Sequence, residues 1–237
     1  MDNSKCVILV PVASYIKPHC DLSLRQLEAM GYIVRRWYGS SQIDVARNRL
    51  ATDALAEGFE ELMWIDADIA FDPRSVERLR SHGLPVVCAI YPKKLEKELA
   101  SHLTKETKQL TFGQGGGLVE ILYAATGFLY TRREVYLDVQ REENLPVCNQ
   151  RLGQPTVPFF LPMVISDGSG HRYLAEDFAF CERLRRCRYR IYADTTIRLQ
   201  HIGKYGYSWE DVGSSLPRYA TYQLKIQDED GLTSGPG

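Results

Sequence analysis

Two carboxylates stand one residue apart in Asp66-Ala67-Asp68, directly after the apolar run Leu62-Met63-Trp64-Ile65. Such a run reads as a buried strand, and in a parallel α/β sheet the carboxyl ends of strands face the crevice where ligands bind. Paired acids there can hold a hard divalent cation, Mg²⁺ or Mn²⁺, whose other coordination positions suit diphosphate oxygens. An acidic turn ahead of a helix fits the same residues, since Asp72-Pro73 just downstream is a helix-start signal.

Three further clusters carry polar chemistry. Asp44, Arg47 and Asn48 fall in the first turn of an amphipathic segment. A helix N-terminus with an added guanidinium favours an anionic phosphate, so Arg47 can neutralise a diphosphate while Asp44 and Asn48 read hydroxyl or base groups. An Arg47–Asp44 pair on a solvated face is the plain alternative. Glu176 and Asp177 open a second helical pattern, where acids also serve the helix dipole. His201, at the end of a strand-like run, offers an imidazole competent to bind Mn²⁺. Gly203, Lys204 and Gly206 follow it as a cationic loop able to close over phosphates.

These residues need a scaffold, and the first 92 positions alternate strand and helix patterns. Cys6-Val-Ile-Leu-Val-Pro-Val is a continuous apolar run. Asp21 is expected to cap a helix through Leu24, Leu27 and Met30 that ends at Gly31, ahead of the strand-like Tyr32-Ile-Val-Arg-Arg-Trp-Tyr38. Ser41-Gln-Ile-Asp44 has capping-box spacing before Ala46, Leu50, Ala51 and Ala54. Asp72-Pro73 opens a helix through Val76 and Leu79, and Leu84 to Tyr91 is again strand-like. This alternation predicts a three-layer α/β domain with a mostly parallel central sheet.

Beyond Pro92, residues 93–108 are charged and weakly helical in pattern. Two strand-like runs between Leu118 and Tyr130 break at Thr126-Gly127, and 144–170, with Pro146, Pro155, Pro158 and Pro162, reads as a long connection of the kind that forms lids. A helix over 175–186, strands at 189–193 and 196–200 and a helix from Pro217 are expected to complete the core. One domain over 1–227 follows, with 228–237 as a flexible tail.

The chain has 237 residues, 44% hydrophobic and 25% charged, enough for one sizeable core. Its formal charge of −1 gives no basic field for a nucleic-acid backbone. No apolar run approaches the roughly 20 residues of a bilayer-spanning helix, and Met1-Asp-Asn-Ser-Lys lacks a signal-peptide shape, so a cytoplasmic protein without a membrane span is expected. The six cysteines contain no Cys-x-x-Cys pair and read as reduced, structural thiols.

Ala46-Arg-Asn48, followed after a helix by Trp64-Ile-Asp-Ala-Asp68-Ile and then Pro73, resembles the donor-binding half of GT-A-fold, nucleotide-sugar-dependent glycosyltransferases. It is locally similar to the fungal mannan-polymerase subunits and more loosely to family-2-like bacterial enzymes. The resemblance implies a Rossmann-like GT-A domain whose donor-binding half is about 1–92 and whose acceptor half is about 93–227. It places Asp66 on the donor's ribose or sugar and on the metal, Asp68 and His201 on the metal, and Pro11, Val12, Ala13 and Ser14 around the nucleobase, with Tyr15 stacking. Gly127 would border the donor sugar and allow its close approach; a strand with a bulge is the plain alternative there, as a strand-to-helix loop is for Pro11 to Ser14. Asp177 would be the acceptor's general base, with Glu176 next in line.

The activity implied is metal-dependent transfer of a sugar from a UDP- or GDP-sugar to a carbohydrate, lipid-linked or other hydroxyl acceptor. Two other readings stay open. One is a haloacid-dehalogenase-like phosphohydrolase with Asp66 as nucleophile, and the other a non-catalytic nucleotide-sugar-binding module.

Overall fold

The computed structural model describes residues 2–39, 41–95, 98–166, 168, 170–212 and 221–225. The first half runs β1 (Cys6–Val12), α1 (Pro18–Ala29), β2 (Ile33–Tyr38), α2 (Ile43–Ala56), β3 (Glu61–Ile65), β4 (Ile69–Ala70), α3 (Arg74–Ser81) and β5 (Val86–Cys88). Next come β6 (His102–Leu103), β7 (Gln109–Gly113), β8 (Leu118–Tyr123), β9 (Phe128–Arg132), α4 (Arg133–Glu142), β10 (Met163–Ser166) and β11 (His171–Leu174). Last are α5 (Glu176–Arg186), β12 (Ile191–Asp194), β13 (Gln200–Ile202), β14 (Gly206–Tyr207) and β15 (Thr221–Lys225).

Eight strands form the central sheet in the order β2-β1-β3-β9-β5-β12-β8-β6. β2, β1, β3, β5, β12 and β6 point one way, with β9 and β8 antiparallel to their neighbours. The sheet is therefore mixed and mostly parallel. β1 is apolar at every position because both of its faces are covered. Val7 and Leu9 pack with Leu50 of α2, Val135 of α4 and Phe180 of α5. Cys6, Ile8, Val10 and Val12 pack with Leu24 of α1 and Val76 of α3. Side chains alternate between faces along a strand, so one apolar run serves both outer layers.

Several local expectations are corrected. α1 starts at Pro18 with Lys17 as its N-cap, because Pro suits the first helical position, which leaves Asp21 inside the first turn. α2 takes Gln42 as its N-cap, so Ser41 lies outside and the capping box does not form. Residues 93–108 form no helix in their described part. Pro92 and Leu99 instead form an isolated bridge, and Lys93 N donates to Glu98 O at 2.9 Å. The strand expected at 196–200 lies later, at β13, where Gln200 and His201 pair with β4.

Thr221–Lys225 is a strand paired antiparallel with β7, where a helix was expected, since a waiting strand edge overrides weak helix propensity. The 144–170 connection is anchored in its middle. Phe159 and Phe160 are fully buried, and the Val157 and Phe160 amides donate to Thr52 Oγ1 and Asn48 Oδ1 at 2.9 and 2.7 Å. It then forms a hairpin, β10 with β11. The expected flexible tail, 228–237, lies outside the described residues.

Candidate active site

The chain passes from β1 to β2 on one side and later returns to place β3 on the other, so the crevice between the ends of β1 and β3 is a topological switch point. A cleft of about 350 Å³ opens there, lined by Pro11, Ala13, Ser14, Tyr15, Lys17, Ile43, Asp66, Ala67, Asp68 and His201. Residues from both ends of the chain thus meet at one place. β13 carries His201 to the cleft by pairing it with Ile69, and Ile202 N donates to Asp68 O at 2.7 Å.

Asp68 is the most tightly engaged acid of the cleft. Lys94 Nζ pairs with its Oδ2, and His201 Nε2 lies 3.5 Å from its Oδ1. Burial pushes the Asp68 carboxyl up, but His201 and Lys94 outweigh it and hold the group at about 2. His201 Nδ1 is 2.9 Å from the Pro92 carbonyl, an acceptor only, so Nδ1 carries the hydrogen. With Nδ1 so held, Nε2 is the ring nitrogen turned toward Asp68, the way outer contacts orient metal-ligating histidines.

Among the described residues no group of three or more His, Cys, Asp and Glu forms a complete metal cage. Asp68 and His201 nevertheless fit a hard cation of the kind that takes one or two protein ligands and completes its shell with substrate phosphates. Asp66 is differently placed, because its Oδ1 accepts from Arg47 Nη2 at 3.0 Å.

Behind the cleft, Arg47 joins it to a second acidic group. Its side chain is 3% exposed, and Nε also lies 3.7 Å from Glu176 Oε1. Burial opposes its charge, yet Asp66, Glu176 and Asp177 together raise its pKa above the usual arginine value. Asp177, in the first turn of α5, accepts from Phe178 N at 2.8 Å. Burial, with the neighbouring Glu176 charge, pushes Asp177 up to about 7 against the pull of Arg47. A carboxyl poised there is a competent base near neutral pH.

Gly127 is where the backbone comes closest. Its amide donates to Tyr91 OH at 3.0 Å, and its carbonyl accepts from Asp66 N at 3.0 Å. A Cβ there would stand 2.2 Å from Tyr91 Oη and 2.8 Å from Asp66 Oδ2. Gly127→Ala is therefore expected to destabilise the fold by about 1–3 kcal/mol and to displace Asp66. Urea unfolding measures the first effect, and an unchanged midpoint would mean that Tyr91 yields without cost.

The other candidate residues are more dispersed. Val12 is buried in the core on the α1 side. Asn48 is buried beneath the 144–170 connection through its bond to Phe160 N. Asp44 is half-buried in the first turn of α2, and Lys204 is exposed on the β13–β14 turn. Lys94, Tyr91 and Lys17 were not foreseen. Lys17 directly precedes the helix-starting Pro18 and Tyr91 ends a strand-like run, whereas nothing local marks Lys94.

A larger recess of about 790 Å³ lies at the far end of the β4–β13 ladder, with Arg74, Arg78 and Arg198 in its lining. These arginines pair with Asp72, Asp194 and Glu210 respectively. The recess thus brings compensated ion pairs to its wall. The smaller cleft joins a candidate cation pair to a raised carboxyl, and so is the better candidate for chemistry.

No family model matches the sequence, and no curated protein matches it. The fold is similar to that of A197 from STIV, with a TM-score of 0.56 and 17% identity over 95% of this chain and 96% of that one. Looser overlays include GalNAc-T7 solved with UDP, GalNAc and Mn²⁺, at TM-score 0.39 and 11% identity over 84% of this chain and 43% of that one. Another is S. aureus TarS 1-349, at TM-score 0.38 and 12% identity over 80% of this chain and 57% of that one. The chain spans about half the length of these last two. At these identities the likeness is one of fold. Among the described residues no helix is long and apolar enough to cross a membrane.

Proposed function

We propose that the protein is a glycosyltransferase that takes its sugar from a nucleotide-diphosphate donor. The observation that carries this reading is the continuity of the site. A cleft at a switch point, holding Asp68 and His201, is linked through Asp66, Arg47 and Glu176 to the raised carboxyl of Asp177. Pro11, Ala13 and Tyr15 form the wall against which a nucleoside would lie, with Lys17 and Lys94 as cations on the diphosphate side. Mn²⁺ or Mg²⁺ held by Asp68 and His201 would supply charge neutralisation for the departing diphosphate. Arg47 fixes Asp66 and tempers the charge of the acid pair. Asp177 removes the proton from the acceptor hydroxyl, the role of an inverting enzyme's base. As a phosphohydrolase nucleophile, Asp66 would need an accessible carboxylate, yet one of its oxygens is tied to Arg47.

Incubation with a panel of nucleotide sugars and Mn²⁺ is the test. Release of nucleoside diphosphate with transfer of the sugar is expected. Release of inorganic phosphate would favour the phosphohydrolase, and tight binding without turnover the binding module.

A further inference from the structure

Lys94, one of the two cations assigned to the diphosphate side, also sits against the carboxylate proposed to hold the metal. Lys94 belongs to the loop that follows β5, which is closed on itself by the Pro92–Leu99 bridge, by Ala100 N donating to Tyr91 O at 2.9 Å, and by the Lys93–Glu98 ion pair at 2.8 Å. The next residue, Leu95, holds φ +64°, a left-handed conformation that a bulky side chain rarely adopts. Such strain collects at functional loops whose surroundings over-determine them. The loop sets the Lys94 stem beside Gly203, where a Cβ would stand 3.3 Å from Lys94 Cδ, and its ammonium on Asp68 Oδ2. The pair is part-buried, with side chains 31% and 28% exposed.

An ammonium and a divalent cation cannot share one carboxylate at no cost, because like charges a few ångströms apart in a part-buried site repel strongly. Resting on the glycosyltransferase reading above, we infer that Lys94 is a resident counter-cation for Asp68, which keeps the metal site weak until the donor's diphosphate arrives. The diphosphate then gives the ammonium a new anionic partner within reach of its flexible four-carbon stem, and Asp68 is released to the metal. Metal and nucleotide thereby bind as a coupled pair, each strengthening the other by the same factor.

Mn²⁺ binding measured by electron paramagnetic resonance, with and without UDP or GDP, tests this without relying on turnover. Wild-type protein is expected to bind Mn²⁺ weakly alone and at least about tenfold more tightly with nucleotide. Lys94→Met should bind Mn²⁺ alone on the order of tenfold more tightly than wild type, and the nucleotide's enhancement should shrink by about the same factor, leaving the part that its phosphates contribute on the ion. Lys94→Arg, which keeps the charge, should behave like wild type. Circular dichroism checks that each variant is folded, and Lys94→Gln serves if the methionine variant is not.

Equal Mn²⁺ affinity of wild type and folded Lys94→Met or Lys94→Gln without nucleotide overturns the counter-cation role and leaves the metal site standing. Undiminished Mn²⁺ binding by Asp68→Asn places the ion elsewhere and overturns both. Absence of Mn²⁺ binding to every variant, nucleotide present or not, also overturns both.

Discussion

Asp177→Asn is expected to lower kcat by roughly two to four orders of magnitude while the dissociation constant for the nucleotide barely moves. A base that takes the acceptor's proton acts in the transition state and adds little to holding the donor, so its loss falls on kcat. The change keeps the shape and the Phe178 N–H acceptor of the side chain while removing its basicity. The same carboxyl sets a pH dependence. With Asp177 held at about 7, wild-type kcat/KM is expected to fall as pH drops through that value, because the protonated form cannot accept a proton.

Stability moves the opposite way. The folded state raises the Asp177 pKa above its ordinary 3.8, so it binds the proton more tightly than the unfolded chain does. That contribution is fully present below about 4 and is lost as pH rises through about 7. Wild-type thermal stability should therefore decline between about pH 4 and about pH 7 from this group, and Asp177→Asn should flatten the decline and melt higher at the upper end. Rate and melting curves are both accessible on one preparation. A folded variant with near-normal kcat would shift the base to Glu176, or to a retaining mechanism that needs none.

Asp177 is legible in the sequence as one of two acids opening a helical pattern, and it lies in the first turn of α5. The continuous apolar run of β1 forecast a strand covered on both faces, and the core clusters divide its alternate side chains between the two layers. Asp66-Ala-Asp68 after Ile65 forecast acids at a strand end, because a strand that is buried to its last residue must present whatever follows to the crevice. Cap positions were less legible. Asp21 and Ser41 are good capping types, but Pro18 and the register of α2 moved the helix starts away from them.

Lys94 was invisible for a different reason. The Lys and Glu residues of 93–108 mimic the composition of an exposed helix, whereas backbone pairing of Pro92 with Leu99 decides the local structure. Its partner Asp68 stands 26 residues earlier in the chain, and only the fold brings the two together. The orientation of His201 likewise depends on the carbonyl of Pro92, which no spacing rule connects to it. Arg47 was visible as a cation near the site, but its nearly complete burial among Asp66, Glu176 and Asp177 arises where the N-terminal turns of α2 and α5 approach one another in the fold.

Chelation of divalent cations is expected to lower turnover by about three orders of magnitude, and added Mn²⁺ or Mg²⁺ to restore it. The size follows from the several kcal/mol of charge stabilisation that a bound cation contributes to a departing anion, each 1.36 kcal/mol being tenfold in rate. Asp68→Ala should lose activity to the same extent, and excess Mn²⁺ should not rescue it, because the carboxylate that pairs His201 with the site is gone. His201→Ala should be milder and partly rescued by excess Mn²⁺, since Asp68 and the phosphates still offer oxygen ligands. Steady-state assays in chelator, with each metal titrated back, measure all of this. Full turnover in chelator would remove the cation from the mechanism. The neutralising charge would then fall to Lys94, already seated on Asp68, and Lys94→Met would be the substitution that abolishes activity.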